Sequence, residues 1–136
     1  GLRQLTENMN DIIERYDKDV LIAETSIGYT TETFGSKDTV YNKELEKLTG
    51  YPATQKGQED FLRELFKTVR NVKDGRGIGV FYWEPAWLPI NDCTWASNSG
   101  CKYMNEKEEP GNAMANMALF DDKGNANSAL LNIHTM

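Results

Sequence analysis

Two short apolar runs stand out in an otherwise polar chain, and each of them ends at a glutamate. The first run covers residues 20–23 and is followed by Glu24, whereas the second covers residues 78–83 and is followed by Glu84. Continuous apolar runs of this length are typical of strands that are covered on both faces. Pro85 lacks a backbone donor, so the second strand must end there. The pattern therefore predicts two strands that each deliver a carboxylate at the carboxyl end.

Amphipathic helices flank these strands. Apolar residues recur at helical spacing over residues 6–16, with Thr6 as the predicted N-cap, and a second helix is predicted to begin after Thr54. Shorter helices are predicted near residues 41–48 and from residue 127 or 128 onward. One apolar face of the second helix carries six residues: Phe61, Leu62, Leu65, Phe66, Val69 and Val72. The last helix is expected to bury Leu130, Leu131 and Ile133. Helices that alternate with strands predict an α/β fold with parallel βαβ units.

Long polar segments follow both predicted strands. Residues 27–54 and 89–110 are rich in small, polar and charged residues and show little periodicity apart from the short helix near 41–48. Loops of this length are unusual in a compact domain unless they shape a site. Residues 121–125 predict a tight turn, in which Gly124 takes the position with positive φ. A calcium loop is disfavoured, because the segment lacks the alternating acids of such a loop.

Composition and charge narrow the possible partners. The chain has 136 residues, a net charge of −6 and no cluster of basic residues, which argues against binding to nucleic acid or to an anionic membrane. No apolar run reaches the roughly 18 residues that span a bilayer. The sequence carries no pattern of a signal peptide, and a mature secreted protein is compatible with it.

The two cysteines leave two interpretations open. Cys93 and Cys101 lie close together in a polar segment, so they form either a short loop-closing disulfide or two free thiols. A zinc site needs about four ligands, and His134 lies far along the chain. A Cys/His metal site is therefore disfavoured.

The two glutamates indicate a chemistry. Two carboxylates at the ends of neighbouring parallel strands, which lie about 4.8 Å apart, have the arrangement that hydrolysis of a glycosidic bond requires. Trp83 and Trp87 flank Glu84, and indole rings stack on the C–H faces of sugars. The residues alone favour Glu24 and Glu84 as a catalytic pair. The alternative is that one or both of them orient neighbouring groups.

Four segments together resemble the arabinogalactan endo-β-1,4-galactanases of glycoside hydrolase family 53. They are DVLIAETS at 19–26, YPAT at 51–54 with Gly57 and Gln58, GVFYWEPAW at 79–87 and NMALFD at 116–121. The resemblance implies a (β/α)8 TIM barrel, of which residues 1–136 would form a C-terminal fragment, from the sixth helix through the eighth strand and the last helix. Because a barrel takes about 250 residues, this fragment would be incomplete on its own.

The resemblance also implies roles for individual residues. It makes Glu24 the nucleophile of a retaining enzyme and Trp83 a platform for sugar, with Trp87 and Tyr29 as weaker candidates for substrate contact. The acid/base glutamate of the family lies at the end of the fourth barrel strand, outside these residues. Glu84 is therefore expected to be an acid that supports its neighbours rather than a catalyst.

By the same resemblance, the parent protein would be a secreted enzyme that hydrolyses the β-1,4-galactan of type I arabinogalactan in pectin side chains. We expect the 136 residues alone to be inactive. Two other functions stay open: a non-catalytic carbohydrate-binding piece, and another retaining barrel β-glycanase that uses Glu24 in the same role.

Two departures from the family pattern matter. Residues 27–29 read Ile-Gly-Tyr where the family commonly has Tyr-Pro-Tyr, which affects one aromatic contact near the nucleophile. Bacterial members can bind calcium in the loop after the seventh strand through acids, an Asn and a His. Here that loop offers Glu32, Asp38 and Asn42 but no His, so no cofactor is predicted, and calcium binding stays open.

Overall fold

The computed structural model describes residues 1–90, 95, 97–105 and 112–136. Within these ranges, no helix is both long enough and apolar enough to cross a membrane. The main elements, in chain order, are α1 (Leu2–Tyr16), β1 (Val20–Thr25), α2 (Lys43–Thr49), α3 (Gln55–Arg70), β2 (Gly77–Tyr82), α4 (Asn98–Met104) and α5 (Ser128–Leu131). Short 3₁₀ turns cover Lys73–Gly75, Ala115–Met117 and Ile133–Thr135.

β1 and β2 pair in parallel, with α2 and α3 in the connection between them. This pairing confirms the predicted α/β unit. β1 extends through Thr25, so Glu24 lies inside the strand, and β2 ends at Tyr82, so Trp83 is the first residue after it. In the described residues the sheet consists of these two strands.

α1 and α3 cover one face of this sheet. The predicted start of α3 is confirmed, since the Thr54 hydroxyl accepts a hydrogen bond from the backbone N–H of Gly57 at 3.0 Å. The shared core contains six buried residues from α1, β1, α3 and the turn after α3: Met9, Ile13, Val20, Leu65, Val69 and Val72. Ile22 and Val80 pack against this cluster, and Tyr82 packs against a second cluster around Leu62. We call Val20, Ile22, Val80 and Tyr82 the helix-covered face.

The predicted N-cap of α1 is wrong. The helix begins at Leu2, and the hydroxyl of Thr6 donates to the carbonyl of Leu2 at 3.1 Å inside the helix. A threonine four residues into a helix can bond back to the preceding turn, so its side chain alone does not mark a helix start.

The chain after β2 also differs from the prediction in two places. Part of the segment expected to be irregular forms α4, whose first turn is capped by the Ser97 hydroxyl, which accepts from the backbone N–H of Gly100. The final helix is a single turn, so it buries Ala129 and leaves Leu131 and Ile133 exposed. Leu130 is only partly buried, against the cluster around Leu62. The predicted burial of Leu131 and Ile133 is therefore wrong.

The predicted turn at residues 121–125 is confirmed. Gly124 has a φ of 82°, and Phe120 bridges Ala126 in antiparallel fashion across the turn. A carboxylate oxygen of Asp121 accepts from the backbone N–H groups of Lys123 and Asn125, which holds the turn closed.

Candidate functional site

The carboxyl ends of β1 and β2 meet at one edge of the sheet. Thr25 pairs with Tyr82, and the backbone N–H of Trp83 donates to the carbonyl of Thr25 at 2.8 Å. Glu24 and Trp83 are each one residue away from that pair. The structure therefore brings the predicted nucleophile and the predicted sugar platform to the same end of adjacent strands.

Glu24 lies in an irregular part of β1. From Ile22 to Thr25 this strand advances three residues, whereas its partner advances only two, from Val80 to Tyr82. This count defines a β-bulge, a feature that re-aims side chains and is common next to active sites. The alternation of burial is broken at the same place, because Ala23 and Glu24 are both exposed. The carboxylate of Glu24 is thus accessible to a ligand.

Trp83 belongs to an exposed apolar surface on the side of the sheet away from α1 and α3. Its side chain is 45% exposed, and Phe81 and Leu21 on the two strands are 65% and 43% exposed. We call Leu21, Phe81 and Trp83 the open face. An exposed indole next to a carboxylate can stack on a sugar ring while the acid reacts with it.

Glu84 terminates the second strand differently. Its backbone has a φ of 51°, the left-handed region that residues with a Cβ rarely adopt. Pro85 follows, and its carbonyl accepts from the N–H of Leu119 at 2.7 Å. Glu84 is half-buried where the chain turns away from the sheet. Its supporting role stays a prediction.

Trp87 is packed rather than open. Its ring stacks on that of Trp95, with centroids 5.5 Å apart and an angle of 26° between the planes. Its buried Nε1 finds no hydrogen-bond partner among the described residues. Cys101 is disulfide-bonded, whereas Cys93 lies outside the described residues.

Tyr29 is buried in the loop after β1. It stacks on Phe34, and its hydroxyl has no hydrogen-bond partner among the described residues. Burial raises the pKa of Tyr29 to about 12, and the negative charges of Asp122 and Asp121 add to this effect. Contact between Tyr29 and a substrate therefore stays a prediction.

The departure at residue 28 has a structural reason. A Cβ on Gly28 would lie only 2.1 Å from the ring of Tyr41, so the ring of Tyr41 packs directly on this backbone. A proline, as in the common family pattern, would collide with that ring unless the loop moved. The absence of a side chain at Gly28 therefore makes room for the ring of Tyr41.

The loop after β1 contains three side chains with oxygen atoms that could ligate calcium, those of Glu32, Asp38 and Asn42. The side-chain oxygen of Asn42 caps α2 by accepting from the N–H groups of Glu44 and Leu45, and an oxygen of Asp38 accepts from the N–H of Thr39. In the described ranges, no three His, Cys, Asp or Glu side chains are grouped closely enough to hold a metal ion.

Sequence reasoning missed the buried polar network behind the two strand ends. Gln58 of α3 is fully buried, and the hydroxyl of Tyr82 lies 3.2 Å from its Nε2. Gln58 belongs to a quoted motif and Tyr82 to the second apolar run, but amphipathic spacing cannot distinguish a buried amide from a surface one. The sequence signal for this network was a single polar residue, Gln58, which lies shortly before the apolar face of α3.

Comparison with known proteins gives a consistent result. A family model described as glycosyl hydrolase family 53 matches residues 1–133. An uncharacterized protein in the bgaB 5′ region of Niallia circulans is 36% identical over 90% of this chain and 30% of its own length. An endo-β-1,4-galactanase of Bacillus subtilis is 34% identical over 90% of this chain and 32% of its own length. The chain thus spans about a third of the length of these relatives.

Solved structures agree on the fold. The catalytic domain of a family 53 protein from Ignisphaera aggregans superimposes with a TM-score of 0.77 and 29% identity, covering 95% of this chain and 33% of that one. A structure of fungal β-1,4-galactanases covers all of this chain and 33% of its own, with a TM-score of 0.64 and 22% identity. These neighbours belong to a TIM-barrel family, and the parallel strands and flanking helices described above are a part of such an architecture.

Proposed function

The chain belongs to glycosyl hydrolase family 53, and we propose that it supplies the nucleophile and a sugar platform to the active site of a retaining endo-β-1,4-galactanase. In this proposal the residues form the part of the barrel from the sixth helix to the last helix. The observation that carries the proposal is the position of Glu24, exposed in the bulge of β1, with Trp83 at the end of the adjacent strand.

The proposed chemistry follows from this geometry. The Glu24 carboxylate attacks the anomeric carbon of a galactosyl unit while a second carboxylic acid protonates the departing glycosidic oxygen. Water then hydrolyses the glycosyl ester, with the second acid acting as base, so that the anomeric configuration is retained. The indole of Trp83 holds the sugar ring against the sheet. Glu84 supports the turn that follows β2.

The second carboxylic acid is expected from a barrel strand outside these residues. Barrel closure pairs every strand on both sides, whereas β1 and β2 each have one unpaired edge in the described residues. We therefore expect the purified 136-residue chain to release no reducing sugar from β-1,4-galactan. If this chain hydrolysed galactan and Glu24→Gln abolished the activity, the proposal that the second carboxylic acid lies outside these residues would be contradicted.

A hybrid enzyme tests the role of Glu24 directly. In it, this chain replaces the region that it matches in the Bacillus subtilis galactanase. We expect the hybrid to hydrolyse galactan and Glu24→Gln to lower kcat by at least about 10⁴-fold. Glu7→Gln, which changes an exposed carboxylate on α1, is the matched control and should leave kcat unchanged. A Glu24→Gln hybrid with more than a tenth of the control activity would refute the assignment.

The exposed indole also supports a second function, binding of galactan without catalysis. Titration of the 136-residue chain with galacto-oligosaccharides would then change its tryptophan fluorescence, and Trp83→Ala would remove the change. A hybrid that binds oligosaccharide but never hydrolyses it would favour this function over the catalytic one.

We also propose that the parent protein acts outside the cell. A polymeric substrate cannot enter a cell, and the disulfide at Cys101 is typical of an oxidising compartment. Recovery of the native protein from the culture medium with this disulfide intact is the expected result. Recovery only from the cell interior would contradict it.

A further inference from the structure

A single buried amide connects the loops and strand that carry the proposed site. Gln58 lies in the first turns of α3 and is 0% exposed. Its Nε2 donates to the carbonyls of Ile27 at 3.1 Å and Ala118 at 3.0 Å, and lies 3.2 Å from the hydroxyl of Tyr82. Its Oε1 accepts from Nδ2 of Asn127 at 3.2 Å. Four separate parts of the chain therefore converge on one side chain.

Tyr82 extends this network into the sheet. Its hydroxyl lies 2.7 Å from the carbonyl of Met117 and 3.0 Å from that of Ile27, and it accepts from the backbone N–H of Ile27 at 3.2 Å. The backbone of Ile27 is thus held through both its N–H and its carbonyl. A phenylalanine at residue 82 would have nearly the same shape but could make neither of these two contacts with Ile27.

The two residues held by this network stand next to the proposed reactive groups. Ile27 follows Glu24 by three residues, and Tyr82 immediately precedes Trp83. The bulge in β1 breaks the regular ladder between Ile22 and Thr25, so the sheet alone constrains Glu24 less than a regular strand would. Side-chain hydrogen bonds from α3 replace that constraint from behind the sheet.

We propose that Gln58 is a positioning residue that fixes the end of β1, and with it the carboxylate of Glu24, relative to Trp83. The proposal rests on the proposed function, because it assumes that Glu24 reacts with the substrate. Gln58 lies on the helix-covered side of the sheet and would never touch the sugar. Its effect reaches the substrate through the backbone of Ile27 and the hydroxyl of Tyr82.

Amide hydrogen exchange on the 136-residue chain tests the structural half of the proposal. Gln58→Met keeps the length of the side chain but removes both its donor and its acceptor. We expect exchange at the amides of Ile27 and Trp83 to rise at least about tenfold, because opening of the strand end exposes them. Exchange within α1 and in the second half of α3 should stay within about twofold of the parent chain.

The control is Gln4→Met, which alters an exposed glutamine of α1 whose side chain donates to that of Asn8. It should change exchange at neither strand end. Equal acceleration in α1, α3 and the strand ends of Gln58→Met would show general destabilisation and overturn the proposal. Free exchange of the Ile27 and Trp83 amides in the parent chain would overturn it as well.

Kinetics of the hybrid enzyme test the functional half. Misplacement of a reacting group by about 1 Å can cost on the order of 100-fold in rate. Gln58→Met should therefore lower kcat by about 10- to 100-fold and leave KM within about threefold. Unchanged kcat, or a raised KM at constant kcat, would contradict positioning. If Glu24→Gln left the hybrid active, the proposed function would fail, whereas the exchange result would still report on the network.

Discussion

The two faces of the short sheet differ in almost every respect. On the helix-covered face, Val20 is buried and Val80 packs against the same core, under α1 and α3. On the open face, Leu21, Phe81 and Trp83 are about half exposed or more, although all three are large and apolar. The same two strands form both faces, so the contrast in exposure arises because α1 and α3 cover only one of them.

This difference separates stability from function. Burial of apolar surface under α1 and α3 supplies the folding free energy that these residues generate by themselves. An exposed cluster of large apolar side chains is instead typical of an interaction surface. In the proposed barrel, the open face would point toward the barrel interior, where the proposed active site would lie. Mutations on the two faces should therefore have different readouts.

The largest effect is expected from truncation of the helix-covered core. Leu65→Ala removes a side chain that is 2% exposed, so it should lower the free energy of unfolding by about 2–5 kcal/mol. Phe81→Ala on the open face, which removes an even larger side chain, should lower it by less than about 1 kcal/mol. Urea unfolding of the 136-residue chain measures both. A larger loss for Phe81→Ala would invert the comparison.

Two tyrosines provide a sharper test of the buried network. Tyr82→Phe deletes a hydroxyl that bonds to the carbonyl of Met117, so we expect a loss of about 1–3 kcal/mol. Tyr29→Phe deletes a buried hydroxyl without a partner among the described residues, so its effect should stay within about 0.5 kcal/mol or be stabilising. Urea unfolding at neutral pH compares them. Equal losses would show that the two hydroxyls have similar surroundings.

The same network predicts a loss of stability in alkali. Burial raises the pKa of Tyr82 to about 12 from its ordinary value of 10.0, so the folded protein holds this proton more tightly than the unfolded chain does. The resulting stability is fully present below pH 10 and is lost as the pH rises toward 12, with a slope of up to about 1.4 kcal/mol per pH unit.

Unfolding measured between pH 9 and pH 12 tests this dependence. Tyr82→Phe should flatten the slope, whereas Tyr103→Phe, which changes a highly exposed tyrosine of α4, should not. An identical slope in both variants would assign the alkaline loss to other groups.

The smallest effect is expected at the amino ends of the strands. Arg76 donates to Asp17 at 2.6 Å and to Asp19 at 2.8 Å, which ties the start of β2 to the turn before β1. Arg76→Gln should lower the urea midpoint slightly at low salt, and the difference should vanish in about 1 M salt because exposed ion pairs are screened. Arg3→Gln, which breaks an ion pair within α1, is the control. A salt-independent loss for Arg76→Gln would indicate packing rather than charge.

Local patterns in the sequence were sufficient for the main elements. The apolar face and the N-cap at Thr54 predicted α3, and the two continuous apolar runs predicted both strands. These predictions succeed because the helix and strand periods follow directly from backbone geometry. The predicted start of α1 and the predicted burial of Leu131 and Ile133 were wrong, whereas the predicted end of α1 at Tyr16 was right. The Thr6 hydroxyl donates to a carbonyl inside the helix, and the single turn of α5 is too short to bury Leu131 and Ile133.

The sequence by itself determined the α/β order, the family, and the candidate residues Glu24 and Trp83. Only the tertiary structure decided how these residues are held. The bulge in β1 and the convergence of four segments on Gln58 join residues that are far apart in the chain, such as Ile27 and Ala118. No local pattern encodes such contacts, because a buried amide is satisfied by whichever backbone groups the packing of helices on the sheet brings within reach.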